Sequence, residues 1–283
     1  MAAETRGRRR ALLIACDTYD PDSGLAALNA PHHDVDALAG VLSDPRIGGY
    51  QVDTVKNQAT WQVRDRISSF FSHCDRDDTL LFYFSGHGIR NRRGGAADLY
   101  LASSDTSVRT LSSRSIEARW LAQRVAESPG GHILLLLDCC YGAVLSGAWL
   151  RASTFDMEPD KDFTLANDRA LITASRAMEF AFEPGGDAPV LADGMRTSYF
   201  ATAMVGGLST GEADSNGDGR VSVPELFNYL EASMAAAGAP HSPWHSGSYG
   251  GFYIADNPFG KVPASWPSGP PDVVARPTEP AIP

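Results

Sequence analysis

The sequence predicts an α/β fold, a three-layer sandwich with a mostly parallel central sheet flanked by helices. Three observations predict it. Short apolar runs alternate with amphipathic stretches along most of the chain. Two of those runs, LLFYF at 80–84 and ILLLL at 133–137, are apolar throughout, which suits strands covered on both faces. Strand–helix–strand order implies right-handed crossovers between parallel neighbours, with helices on both sides of the sheet.

In order, the first strand is Ala11–Cys16, followed by a helix whose stripe is Val35, Leu38, Ala39 and Leu42. Gln51–Val55 is the second strand. Val63, Ile67, Phe70, Phe71 and Cys74 form the next helical stripe, and Thr79–Phe84 the third strand. Ala118, Leu121, Ala122 and Val125 mark another helix, before strands at His132–Asp138 and Ala170–Ala174. Residues 198–208 and 224–236 read as helices and GFYIAD at 251–256 as the last strand, while 156–168 and 185–194 read as loops. The organisation is a flexible basic arm at 1–10, one domain at 11–260, and a tail at 261–283. From Val262 onward, seven of 22 residues are proline, a composition without a core that suits a linker or a regulatory partner's docking segment.

The chain has 283 residues, 24 Lys+Arg and 34 Asp+Glu, a formal charge of −10. With 43% apolar and 20% charged residues, it has globular composition and length enough for a full core. The acidic balance excludes non-specific nucleic-acid binding and attraction to an anionic membrane. No apolar run approaches the roughly 18–20 residues that span a bilayer, and Ala11–Ala15 is too short for a signal peptide. Four cysteines (16, 74, 139 and 140), two of them adjacent, do not make a disulfide scaffold; a reducing cytoplasm is expected.

Ligands of such sheets bind outside the carboxyl ends of the strands. Two turns fall there: Ser85-Gly86-His87-Gly88, and Asp138-Cys139-Cys140-Tyr141-Gly142. A histidine and a cysteine so placed suit a nucleophile–base pair. Neighbouring strand residues point to opposite faces, so at most one of the two cysteines faces His87.

With these two turns the chain resembles the caspase-like cysteine peptidases, the caspase-hemoglobinase fold that also holds metacaspases and paracaspases, bacterial ones included. The separation 140 − 87 = 53 matches the family spacing of about 50 residues. D-C-C-Y-G is closest to the metacaspase turn, with Tyr141 in place of its usual histidine and Gly142-Ala143 in place of its Ser-Gly. The resemblance selects Cys140 as nucleophile and His87 as acid–base partner, with no cofactor in the chemistry. It implies the backbone N–H groups of Gly88 and Cys140 as oxyanion donors. A third member of a triad is not evident in the sequence. The rival reading is a catalytically inactive interaction module of the same fold.

Asp138 occupies the place of the caspase glutamine that receives aspartate, and Asp34 matches the second metacaspase pocket acid. Two carboxylates would favour protein or peptide substrates with Arg or Lys before the cut; Asp105 is a third pocket candidate. The bland alternatives are a helix cap for Asp34 and a strand-end turn for Asp138. Between the catalytic turns and the later strands, Arg151, Lys161 and Arg169 are candidate self-cleavage sites. Asp214, Asn216, Asp218, Arg220, Ser222 and Glu225 fit the EF-hand loop pattern, with Gly219 at its sixth place, and predict a possible Ca²⁺ site.

Overall fold

The computed structural model describes residues 7–93, 96–139, 168–175, 196–248 and 252–260. The tail at 261–283 and the greater part of both expected loops lie outside the described residues. Six strands form the central sheet in the order β10-β8-β7-β3-β1-β2. They are β1 (Arg9–Ala15), β2 (Gln51–Lys56), β3 (Thr79–Ser85), β7 (His132–Asp138), β8 (Arg169–Thr173) and β10 (Trp244–Ser248). The pairs β2–β1, β1–β3, β3–β7 and β7–β8 are parallel, and only β10 runs antiparallel to its neighbour.

Side-chain alternation sorts the core into two layers. Leu13, Leu81, Tyr83, Leu134 and Leu136 face one side, against α1 (Pro31–Ser43), α4 (Tyr199–Thr210) and α5 (Val223–Ala236). Leu12, Ile14, Phe82, Ile133 and Leu135 face the other, against α2 (Thr60–Ser72) and α3 (Ala118–Glu127). Each such side chain contributes about 1.5–3 kcal/mol when removed from water, which is why β3 and the interior of β7 carry no exposed residue. Proline at the first position of α1 and the Ser222–Glu225 capping box of α5 fix where those helices begin.

Three features depart from the sequence reading. β1 starts at Arg9, inside the expected arm, because its arginines find partners. Arg8 pairs with Asp78 at 3.1 Å, Arg9 pairs with Asp256 at 2.8 Å, and Arg10 lies over the Phe70 ring. A small antiparallel sheet, β4 (Gly88–Arg93), β5 (Ala96–Leu101) and β6 (Ile116–Glu117), follows His87 directly. Trp244–Ser248 forms β10, a strand that the sequence pattern did not mark, and Gly247 admits it: a Cβ there would lie 2.3 Å from the Arg169 carbonyl oxygen. β9 (Arg220–Ser222) and β11 (Tyr253–Asp256) pair apart from the main sheet. Among the described residues no helix is long and apolar enough to cross a membrane.

Candidate active site

β3 delivers the histidine. The strand is buried along its whole length and releases the chain at the carboxyl edge of the sheet. Gly86 then packs closely: a Cβ there would sit 3.0 Å from the Cys16 carbonyl oxygen and 3.3 Å from Tyr19 Oη. His87 Nε2 lies 2.9 Å from the Ala26 carbonyl oxygen. A carbonyl only accepts, so Nε2 carries the hydrogen and Nδ1 is the basic nitrogen of the neutral ring. Tyr19 backs the imidazole with ring centroids 5.1 Å apart. Its Oη accepts from the His87 N–H at 3.2 Å and donates to the Cys16 carbonyl at 2.7 Å. The Leu28 N–H, bonded to the Asp17 carbonyl at 2.8 Å, ties down the β1–α1 connection that carries Ala26. Gly88 opens β4 opposite Leu101.

β7 runs beside β3 in register, and its last rung is Ser85 opposite Asp138. Cys139 is 1% exposed and packs with Leu135 and Leu137 on the α2–α3 face. Cys140, Arg151 and Lys161 lie outside the described residues.

Asp34 and Asp138 come together on the opposite face. Asp34 is fully buried. Its Oδ2 accepts from Ser85 Oγ at 2.9 Å and its Oδ1 from the Ser198 N–H at 2.8 Å. Ser198 Oγ donates to Asp138 Oδ2 at 2.5 Å, and Tyr83 Oη donates to the same oxygen at 2.8 Å. Ser198 also caps α4, accepting from the Ala201 N–H. Burial, and then the neighbouring Asp138 charge, holds the Asp34 carboxyl well above the usual carboxylate range. Burial pushes Asp138 up to about 6, against the pull of its two hydroxyl donors. The cap of α1 is Ala30, not Asp34, so Asp34 does not serve the simple capping role.

Asp105 stands elsewhere: its Oδ1 accepts from both the Thr60 N–H and Thr60 Oγ1 at 2.7 Å, capping α2 from another segment. Arg169 corrects an expectation. Its backbone is paired on both sides, with Ile133 of β7 and Ser248 of β10. Its guanidinium donates to the carbonyls of Val125, Ser128 and Gly130 at the end of α3. Cleavage there would require pulling β8 out of the sheet, so Arg169 is not a cut site of the folded chain.

Several contributors escaped the sequence reading. The Ala26 carbonyl has no side-chain signature. Tyr83 looked like another core residue in an apolar strand, although it shares a face with Ser85. Ser198 before an apolar helical run was a legible cap, but nothing in the sequence tied it to Asp34 and Asp138.

The family profile described as Caspase domain matches residues 8–249. This chain belongs to the caspase domain family. Solved structures share its fold: a Geobacter sulfurreducens protein (15% identity, TM-score 0.59, covering 89% of this chain and 98% of that one) and pro-sf-caspase-1 (16%, 0.56, 91% and 92%). Caspase-1 from Spodoptera frugiperda is similar to the same degree (16%, 0.55, 92% and 93%). No curated protein sequence matches the chain.

The acidic loop of this caspase domain is closed on itself. Asp214 accepts from the N–H groups of Gly217, Asp218 and Gly219 and from Asn257 Nδ2. Asn216 Oδ1 accepts from the Asp218 N–H, and Asp218 Oδ1 from the Arg220 N–H. Glu225 Oε2 accepts from the Ser222 N–H and Oγ, and Oε1 from Ser215 and Asn216. The all-oxygen donor set suits a hard cation; among the described residues no three His, Cys, Asp or Glu side chains are grouped to hold a metal ion.

Proposed function

We propose that this caspase domain is a cysteine endopeptidase that cleaves proteins after Arg or Lys, with Cys140 as nucleophile and His87 as its acid–base partner. The observation that carries the reading is the Ser85–Asp138 rung. In sequence, His87 and Cys140 each come two residues after that rung, past the ends of adjacent parallel strands about 4.8 Å apart. Burial of Cys139 in the α2–α3 layer supports the choice of Cys140.

In this reading His87 Nδ1 takes the Cys140 thiol proton while the Ala26 carbonyl keeps the ring in orientation. The thiolate attacks the peptide carbonyl carbon, and the N–H groups of Gly88 and Cys140 receive the developing oxyanion. The imidazolium returns its proton to the leaving amine. The same nitrogen then activates the water that hydrolyses the thioester.

The Asp34–Asp138 pair supports selection of a basic residue before the cut. Asp138, partly exposed beside the catalytic turns, offers an Arg or Lys ion pairing and repels Asp, with Asp34 buried behind it. Self-processing between β7 and β8 would then fall at Arg151 or Lys161. Calcium enters only as a structural ligand of the 214–225 loop, and Glu225 must leave its Ser222 cap to reach it. Kinetics on matched fluorogenic peptides ending in Arg, Lys, citrulline or Asp test the proposal, with Cys140→Ala as control. Turnover that survives Cys140→Ala, or a preference for Asp, overturns it.

A further inference from the structure

Asp138 is served unevenly. Two hydroxyl donors, Tyr83 Oη at 2.8 Å and Ser198 Oγ at 2.5 Å, fall on Oδ2. Among the described residues no hydrogen bond falls on Oδ1, and Asp138 is only partly buried. Tyr83 is completely buried two residues before Ser85 on the same face of β3, with no route to a substrate. An isolated hydroxyl there would be costly to bury, and its whole hydrogen-bonding capacity as a donor goes to Asp138.

We propose that Tyr83 is a positioning residue for substrate recognition: with Ser198 it pins Asp138 by Oδ2, keeps that carboxylate ionised, and turns Oδ1 toward the basic side chain before the cut. The inference rests on the proposed preference for basic residues and adds the group that makes Asp138 able to serve it. A partly buried carboxylate beside a second one tends to hold a proton, and a protonated Asp138 offers an incoming guanidinium no charge. The titratable groups set around Asp138 among the described residues are Asp34 from α1 and Tyr83 itself from β3; both are acids, and neither supplies a compensating positive charge. The tyrosine and serine donors are therefore what favours the ionised form, and loss of one raises the pH at which Asp138 ionises.

The test is Tyr83→Phe, which keeps the ring and its packing, assayed from pH 5 to 9 on paired peptides ending in arginine or citrulline. Citrulline has nearly the shape of arginine without the charge, so it reports whatever Cys140 and His87 contribute to the profile. For the arginine peptide KM rises about three- to tenfold, less than the full worth of a hydrogen bond to a charged acceptor because Ser198 still holds Asp138, while kcat changes little. The acid limb of its kcat/KM moves to higher pH, and the citrulline limb stays. If Tyr83→Phe fails to fold, 3-fluorotyrosine at position 83, a stronger donor, must move the arginine limb to lower pH. Equal changes on both peptides, or an unmoved arginine limb, overturn the role of Tyr83. Absence of any arginine-over-citrulline preference in the unaltered protein overturns instead the proposed specificity on which it rests.

Discussion

Ser85 and Asp138 face each other as the final rung between β3 and β7, so both strands give up the chain at the same level. The sheet thereby fixes the starting points of the histidine turn and the cysteine turn together. Neither turn can slip by a residue without carrying a seven-rung ladder of buried side chains with it.

The adjacent cysteines are expected to separate cleanly. Cys140→Ala removes the proposed nucleophile and should lower kcat by more than about 10³-fold. Cys139→Ala trims a thiol from the α2–α3 layer and should cost about 1 kcal/mol of stability with labelling intact. Labelling by a peptidyl electrophile ending in arginine, read by mass spectrometry beside thermal melts, distinguishes the two.

Asp138→Asn should reduce kcat/KM on arginine peptides about 100-fold, the scale of truncating one partner of a desolvated ion pair. Its effect on citrulline peptides should be small. Equal losses on both substrates would mean that the residue shapes the site without reading charge.

The same substitution has a pH signature in stability. The Asp138 carboxyl titrates near 6 in the fold, above its ordinary value of 3.8. Between those values the native state holds a proton that the unfolded chain has released. Native stability is therefore lost as pH rises from about 4 through 6. Asp138→Asn, which never ionises, should melt above the unaltered protein at pH 8 and converge with it only below about pH 4, where the carboxyl is protonated in both states. Melting curves at the two pH values decide it, and parallel curves would count against a buried charge.

Arg169→Met should lower stability by about 1–3 kcal/mol by stranding the carbonyls at the end of α3. It should leave any self-processing untouched. Fragments that depend on Cys140 are expected to end at Arg151 or Lys161, and intact-mass measurement would expose a cut at 169.

Calcium uptake by the 214–225 loop should be weak, with a dissociation constant of about 10⁻⁴–10⁻³ M, since the ion must displace bonds the loop already makes. Calorimetry on chelator-treated protein, with Glu225→Gln as comparison, measures it. Peptide turnover should be the same with and without chelator.

Much of this was legible beforehand, for physical reasons that differ by element. β3 and β7 were readable because a strand covered on both faces needs unbroken apolar sequence. α1, α2 and α3 were readable because each buries one stripe, as Val35-Leu38-Leu42 does. His87 stood out because glycines flank it at a strand end. The antiparallel β10 was not readable, since Trp244–Ser248 earns its place through Gly247's fit against Arg169 rather than through alternation. Asp105 was misleading for a related reason: a cap supplied from 45 residues away leaves no local pattern. Asp34, Asp138 and their partners Tyr83, Ser85 and Ser198 come from four separate segments, and only the folded chain unites them.

The imidazole's brace is a main-chain oxygen, that of Ala26. An alanine scan, however complete, would leave this support in place and would register two working side chains where three groups cooperate. Only a change to the main chain itself would expose it. Replacing Leu28 with proline, which deletes the amide that ties the connection to Asp17, is one such change, and it should impair turnover although no side chain at the reacting centre has been touched.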